Sequence, residues 1–414
     1  MHKDYKELFT KVRSETEEIC SPLEVEDYVV QPMSDVSPPK WHLGHTTWFF
    51  EQFILVPFLG NYTLFHPEFN YVFNSYYESV GARVLRTDRG NLSRPTTQQV
   101  YEYRAHVNLH MQQLLGRSEL ITEEVQFILE MGLNHEQQHQ ELLVYDIKYI
   151  LGNNPLFPAY KNEKKEATQT KAAPLLFKTI DEGIYSIGYD GDGFHFDNEK
   201  GVHQVYINPF EISNRLITNA EYLEFINDGG YSSFQYWLAE GWDWVKEQKV
   251  KAPEYWHLVD GEWMYYTFNG LLPINGGEPV AHISFFEADA FARWKGCRLP
   301  TEFEWEVAAN KLGTLDDRNF SEGADFRLNI QEAASSHYFG NLWEWTGSAY
   351  RPYPNYKVPE GALGEYNGKF MINQQVLRGG SIATPINHFR TTYRNFFHPQ
   401  LRWMLSGFRL AKSL

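Results

Sequence analysis

Apolar residues recur every three to four positions in four stretches of the first 151 residues, around 3–20, 41–58, 96–116 and 123–151. That period buries one face of a helix. Pro- or Gly-bearing breaks separate the stretches, and Ser37-Pro38-Pro39-Lys40 stands where prolines favour a helix start. Four helices of this length predict a bundle, whose core can host a metal between facing helices. Residues 155–173 carry Pro155, Pro158 and the polar run Lys161-Asn162-Glu163-Lys164-Lys165-Glu166 without apolar period, which predicts a linker. From residue 174 the texture changes to short β-like runs, Gly183–Ile187, His203–Ile212 and Gln375–Leu377, between Gly/Asn/Asp turns. Two helices are expected among them, Asn219–Asn227 and Phe285–Lys295. The predicted organisation is a helical domain over 1–154 carrying a metal site, a linker over 155–173, and a mixed domain over 174–414.

The length of 414 residues exceeds a usual single core and agrees with two domains. A formal net charge of −16 would repel nucleic acid and an anionic membrane surface, so neither is expected as a partner. No run approaches the ~20 apolar residues of a membrane span. The N-terminal residues lead into charged helical sequence without an apolar signal core. Only Cys20 and Cys297 occur, far apart, which favours a reducing cytoplasm over a disulfide framework. Aromatic residues make up 16%, enough to fill two cores and wall a ligand pocket.

Three groups of residues carry candidate chemistry. In His135-Glu136-Gln137-Gln138-His139 two imidazoles lie one helical turn apart on one face, where both reach one metal ion. Imidazole binds iron, zinc, copper and nickel, so the spacing does not choose among them. A third candidate, His45, lies in Trp41-His42-Leu43-Gly44-His45-Thr46-Thr47-Trp48, where a bundle-core histidine needs a metal or another polar partner. The same string satisfies the H-E-x-x-H pattern of zinc proteases, with Glu136 as general base. The extended protease pattern is absent, because Gln140-Glu141-Leu142-Leu143 follows. The second group is Asn74-Ser75-Tyr76-Tyr77-Glu78 followed by Arg83, Arg86, Arg89 and Arg94, either a carboxylate site or a solvated loop. The third is the set of glycine and tryptophan motifs near Gly340, Arg378 and Gly407, which specify a fold and carry no reaction.

These strings together resemble a known family over nearly the whole chain. Gly296-Cys297-Arg298-Leu299-Pro300-Thr301-Glu302-Phe303-Glu304-Trp305-Glu306, Gly340-Asn341-Leu342-Trp343-Glu344-Trp345, Leu377-Arg378-Gly379-Gly380-Ser381 and Gly407-Phe408-Arg409-Leu410 look like the formylglycine-generating-enzyme (sulfatase-modifying-factor) domain, a C-type-lectin-like α+β fold. His45 with His135-x-x-x-His139 looks like a DinB-type four-helix bundle. A fusion of the two resembles the sulfoxide synthases of ergothioneine biosynthesis, called EgtB. The resemblance implies a mononuclear nonheme Fe(II) held by His45, His135 and His139, with O2 as co-substrate. It implies that Gln138 and Asn395 contact hercynine (N-α-trimethylhistidine), at an active site between the domains. Two departures bear on the sulfur donor. Asn91 stands three residues before Arg94, where actinobacterial members carry arginine, and Phe396-Phe397 replaces their Trp-Asp. Both lost groups serve the glutamyl part of γ-glutamylcysteine, so the pattern looks like the branch that uses free cysteine. In that branch Tyr76 or Tyr77 is the active-site phenol, and Arg86 and Arg94 are the candidates for the cysteine carboxylate. The copper-binding cysteine pair of formylglycine-generating enzymes is missing.

The implied reaction joins cysteine sulfur to the imidazole of hercynine and yields hercynyl-cysteine sulfoxide. Hercynine's quaternary ammonium calls for aromatic faces, at roughly 0.5–2 kcal/mol each. Related synthases use histidine (ovothiol type) or a selenosugar (selenoneine type), and a lectin-like binding module without turnover is the reading from another class.

Overall fold

The computed structural model describes residues 4–161, 171–320, 326–329, 337–358, 364 and 367–414. Of the expected linker, residues 162–170 lie outside the described residues. The chain divides into two compact units, one built on Met1–Lys161 and one on Asn162–Pro359 and Asn367–Leu414.

Among its described residues four long helices make the first unit: α1 (Tyr5–Cys20), α2 (Pro39–Phe50), α3 (Thr97–Leu115) and α4 (Glu123–Gly152). Their starts follow local chemistry. Asp4 accepts from the backbone of Lys6 and Glu7, Pro39 opens α2, Thr96 and Gln99 form a capping box, and Thr122 caps α4. The helix expected over 41–58 is interrupted: after Phe50 the backbone takes a π-type turn over Glu51–Leu55 before one more turn at Val56–Phe58. At that turn the buried Glu51 carboxylate accepts from Tyr62 Oη and Tyr103 Oη, both at 2.6 Å. α2 packs against α3 and α4, and α1 against α4. Two glycines allow the closest approaches. A Cβ on Gly132 would stand 2.7 Å from the Phe50 ring and 2.9 Å from that of Phe49, and one on Gly44 would lie 2.1 Å from the ring of Phe73. Both helices can therefore bring histidines to one point.

Among its described residues the second unit holds twelve short strands in four sheets. β1 (Phe177–Ile180), β4 (Phe210–Ser213) and β12 (Ala411–Ser413) form one antiparallel sheet, with β4 central. β2 (Gly183–Ile187) and β3 (His203–Ile207) form a hairpin, and β5 (Trp256–Val259), β6 (Glu262–Thr267) and β7 (Gly270–Pro273) a meander. The largest sheet runs β10-β9-β8-β11, from β8 (Trp343–Ala349), β9 (Gln375–Arg378), β10 (Asn395–Phe397) and β11 (Ser406–Gly407), with β11 parallel to β8. The run expected over His203–Ile212 is two strands, because Asn208-Pro209 separates them and proline cannot donate to a ladder. The helices are α5 (Asn219–Asn227), α6 (Ala239–Gln248), α7 (Phe285–Trp294) and α8 (Glu302–Leu312). A core of Ile180, Ile187, Ile207, Phe210, Ile212, Trp305 and Phe339 lies under β1 to β4 and α8.

The glycine and tryptophan motifs do the structural work expected of them. Trp343 and Trp345 are fully buried, and Glu344 accepts from Trp305 Nε1 at 2.9 Å and Arg409 Nη2 at 2.7 Å. Gly340, Gly379 and Gly380 sit at φ of 82°, 100° and 77°, which favours glycine. Among the described residues no helix is long and apolar enough to cross a membrane.

Candidate metal centre

His45 comes from α2, and His135 and His139 from successive turns of α4. One ring nitrogen of each lies within 4.8 Å of the others, and His45 Nε2 stands 3.2 Å from His135 Nε2. Burial holds all three imidazoles well below the usual histidine range. His135 falls to about 3, and for His45 and His139 neighbouring histidines add to the effect of burial. Neutral rings offer lone pairs, which is the state a metal ligand requires. The outer nitrogens also look like those of ligands. His45 Nδ1 points at the carbonyl of Phe73 at 2.6 Å, and His139 Nδ1 at His42 Nδ1 at 2.9 Å. Such partners orient a ligating imidazole. The three residues fit a transition-metal ion of the kind imidazole binds.

Aromatic rings build the walls. His45 is sandwiched between Trp41 (4.6 Å, 13° interplanar) and Trp48 (5.5 Å, 17°). Positions 41, 45 and 48 share one face of α2, which is why the three rings stack. Phe49 lies 4.8 Å from His135. Tyr77 is buried against Trp48, Phe49 and Phe53, with centroids at 5.5, 6.4 and 5.3 Å. Tyr76 is half-buried, and its hydroxyl accepts from Arg86 Nη1 at 3.0 Å. The structure therefore brings Tyr77 against the rings that flank the histidines, and ties Tyr76 to Arg86.

Among the loop arginines the structure distinguishes sharply. Arg94 is exposed and donates to the carbonyl of Ser93, and Asn91 is exposed as well. Arg86 is half-buried, donating to Tyr76 and to the carbonyl of Asp35. Arg89 alone of the four is buried, at 5% exposure, with its guanidinium 3.3 Å over the ring of Trp41. It donates to two neutral oxygens, Ser37 Oγ at 2.8 Å and Ser75 Oγ at 2.9 Å. No carboxylate among the described residues makes an ion pair with it. Burial pulls its pKa down to about 9. A buried cation with no direct ion pair is costly, and the nearest help is the Asp146 carboxylate, reached through Ser37.

Glu136 is excluded as a general base. It turns away from the histidines toward α1 and α3, where Arg13 Nη1 (2.8 Å), Arg104 Nη2 (2.6 Å) and Thr16 Oγ1 (2.7 Å) donate to it. Burial would raise its pKa, but Arg104 and Arg13 overcome that and hold it down to about 2. A fully buried carboxylate with every oxygen engaged cannot take a proton from a metal-bound water.

Gln138 is half-buried on α4, one residue before His139. In the second unit Asn395, Phe396 and Phe397 form β10, paired with Leu377, Val376 and Gln375 of β9. Asn395 Oδ1 accepts from the Phe396 amide at 2.9 Å. The ring of Phe396 lies flat on Tyr350 at 4.1 Å, and Phe397 meets Trp403 edge-on at 5.3 Å. Sequence reasoning gave no role to His42 or Asp146 and did not separate Arg89 from its neighbours. For His42, three residues before His45, the spacing was a usable signal. For Arg89 nothing local marks it as the buried one.

The Sulfatase-modifying factor enzyme 1-like domain family matches residues 162–338 and 336–414, and the DinB superfamily matches residues 8–143. The hercynine oxygenase of Mycolicibacterium smegmatis is 32% identical over 312 residues, 69% of this chain and 71% of that protein. That of Mycobacterium tuberculosis is 31% identical over 317 residues, with the same coverage. The chain belongs to the EgtB family. The likeness to formylglycine-generating enzymes is confined to one part: that of Streptomyces coelicolor is 29% identical over 53% of this chain. Cys20 and Cys297 are both free, and burial raises the thiol pKa of each, Cys20 to about 12. The two-domain composition expected from the sequence, a DinB-like helical bundle followed by a formylglycine-generating-enzyme-like domain, is thus the family's own.

Proposed function

We propose that this chain is an O2-dependent nonheme Fe(II) sulfoxide synthase that joins the sulfur of free cysteine to the imidazole of hercynine, in ergothioneine biosynthesis. The observation that carries the reading is the convergence of His45, His135 and His139, two buried and one half-buried, as three neutral imidazoles. An Fe(II) ion held by them would supply positions for both substrates and O2 and the electrons that activate O2.

The remaining roles fall to the chain's own residues. Arg89 takes the carboxylate of the amino-acid donor, because it is the buried cation of the loop and makes no direct ion pair among the described residues. Arg86 positions Tyr76, to which it already donates. Of the two candidates for that carboxylate, Arg94 is exposed and Arg86 is engaged by Tyr76 and the carbonyl of Asp35, so the role passes to Arg89 in this reading. Trp41, Trp48 and Phe49 exclude water and hold the imidazole planes. Tyr77 Oη, on a ring packed against Trp48 and Phe49, is the phenol that gives up a proton during oxygen reduction. Gln138, Asn395, Phe396 and Phe397 are assigned to substrate recognition, Asn395 toward hercynine. With Asn91 exposed, the choice of free cysteine over γ-glutamylcysteine rests on the phenyl pair Phe396-Phe397.

The test is anaerobic loading with Fe(II), then O2 with hercynine and cysteine, with product masses recorded. A hercynyl-cysteine sulfoxide is the expected product. Turnover only with histidine or with a selenium donor would move the chain to a sibling activity. Absence of oxygen consumption with every pair would leave a binding module.

A further inference from the structure

His139 is the least buried of the three histidines, yet it has the most elaborate support behind it. Its Nδ1 lies 2.9 Å from His42 Nδ1, and His42 Nε2 lies 2.9 Å from Asp146 Oδ2. The same carboxylate oxygen accepts from the backbone N–H of Ser37 at 2.8 Å. Ser37 in turn accepts from Arg89 through its hydroxyl. His42 is 2% exposed and Asp146 is 2% exposed, so water does not substitute for these partners.

Two facing Nδ1 atoms can share only one proton. Asp146 Oδ2 already takes the Ser37 amide and, as a carboxylate, can only accept, so His42 must carry its proton on Nε2. With His42 neutral, its Nδ1 is then a bare lone pair, and the shared proton belongs to His139 Nδ1. That leaves His139 Nε2 unprotonated and pointing away from His42. We infer that His42 and Asp146 form an outer relay that fixes His139 as the Nδ1–H tautomer with Nε2 presented to the metal. The inference rests on the metal reading proposed above. His42 and Asp146 are positioning residues: they touch neither metal nor substrate. A carboxylate acting through a hydrogen-bonded imidazole makes the ligand more basic and holds its ring plane. Ser37 joins this relay to Arg89, so the seat for the donor carboxylate and the third ligand share one anchor.

The experiment uses the full chain loaded with one equivalent of Zn(II), with 15N-labelled histidine and long-range 1H–15N correlation. His139 is expected as Nδ1–H and His42 as Nε2–H. A His42 signal carrying its proton on Nδ1 would overturn the relay. Two variants add an independent readout. His42→Phe keeps a ring and removes both hydrogen bonds, and should weaken Zn(II) affinity about 10–100-fold by chelator competition. Asp146→Asn can keep an oxygen at the same point and loses only charge, so a smaller loss is expected. Both should shift the visible absorption bands of the Co(II) form, which a merely structural role would leave in place. Unchanged affinity and unchanged bands in both variants would also refute the inference. Failure of the metal reading looks different: the wild-type chain would take up no stoichiometric Zn(II), or His45→Ala would take it up unaltered, and the relay would fall with it.

Discussion

Replacing Arg89 by methionine removes a buried charge while keeping an unbranched side chain of similar reach. Two effects of opposite sign follow. Burial takes the guanidinium from 12.5 down to about 9, which at ~1.4 kcal/mol per pH unit is a penalty on the charged form on the order of 5 kcal/mol. Cation–π attraction to Trp41, roughly 0.5–2 kcal/mol, and hydrogen bonds to Ser37 and Ser75 return part of it. The substrate-free variant should therefore be more stable than wild type, by about 1–3 kcal/mol, as when buried charges give way to apolar groups. For a unit of this size that raises Tm by about 2–4 °C per kcal/mol. Substrate binding should move the other way. A donor carboxylate deprived of its buried partner costs about 2–5 kcal/mol, or roughly 30- to several-thousand-fold in Kd. Arg89→Lys should fall between, since an ammonium keeps the charge and loses the planar stack on Trp41. The assays are thermal unfolding without substrate and anaerobic titration of the metal-loaded chain with cysteine. A methionine variant that binds cysteine as tightly as wild type, or that is less stable by more than about 1 kcal/mol, would show that Arg89 is a structural cation.

Four further outcomes are expected. His45→Ala, His135→Ala and His139→Ala should each abolish stoichiometric Fe(II) binding with helical circular dichroism retained; iron at full stoichiometry in any of them removes that residue from the ligand set. His42 is no neutral control for this experiment, given its contacts to His139 and Asp146. Tyr77→Phe, or failing that Tyr76→Phe, should divert oxygen from sulfoxide synthesis to cysteine dioxygenation, and unchanged product ratios in both single variants and the double variant would sink the role. Glu136→Gln should destabilise the bundle by about 3–5 kcal/mol at neutral pH, because Arg13 and Arg104 then lose the buried carboxylate between them and only the half-exposed Glu17 remains on Arg104. The Glu136 pKa is held at about 2, below the ordinary 4.5, so its contribution is present above 4.5 and lost as pH falls toward 2; the gap between wild type and variant should narrow over that window, and a constant gap in denaturant unfolding would contradict it. Finally, kcat/KM for cysteine should exceed that for γ-glutamylcysteine at least about tenfold, the ratio set by ~1.4 kcal/mol, because two phenyl rings offer a glutamyl zwitterion no partner; equal turnover would leave the synthase reading and remove the donor assignment.

What could be read in the chain was whatever depends on near neighbours. The four helices announce themselves by a 3.6-residue period, and their caps by residues within four positions. His135 and His139 are legible for the same reason, since one turn of helix fixes their mutual distance. The π-type turn after Phe50 was not legible, because the buried Glu51 that sits there is satisfied by Tyr62 and Tyr103, the second of them 52 residues away. The helix Ala239–Gln248 and the meander from Trp256 to Pro273 were also missed. Both lie in sequence rich in aromatic and polar residues, where neither period dominates.

The most instructive case is Glu136, one residue after a candidate metal ligand in a string that matches a protease pattern. A pattern of this kind states which residues share a helix; it does not state what packs against the other faces. One helical step turns Glu136 about 100° from His135, and on that face stand Arg13 and Arg104, 123 and 32 residues distant. Those two cations convert a candidate base into a structural anion. Arg89 is the mirror case: a cation in a polar loop, where solvent would be the ordinary surrounding, is drawn inside by two serines and a tryptophan and makes no direct ion pair among the described residues. In both, the chemistry of the residue is set by the sign of the charge that meets it. The carboxylate that has its counter-ions is spent on the fold, and the guanidinium that makes no direct ion pair is the one proposed above to receive a ligand.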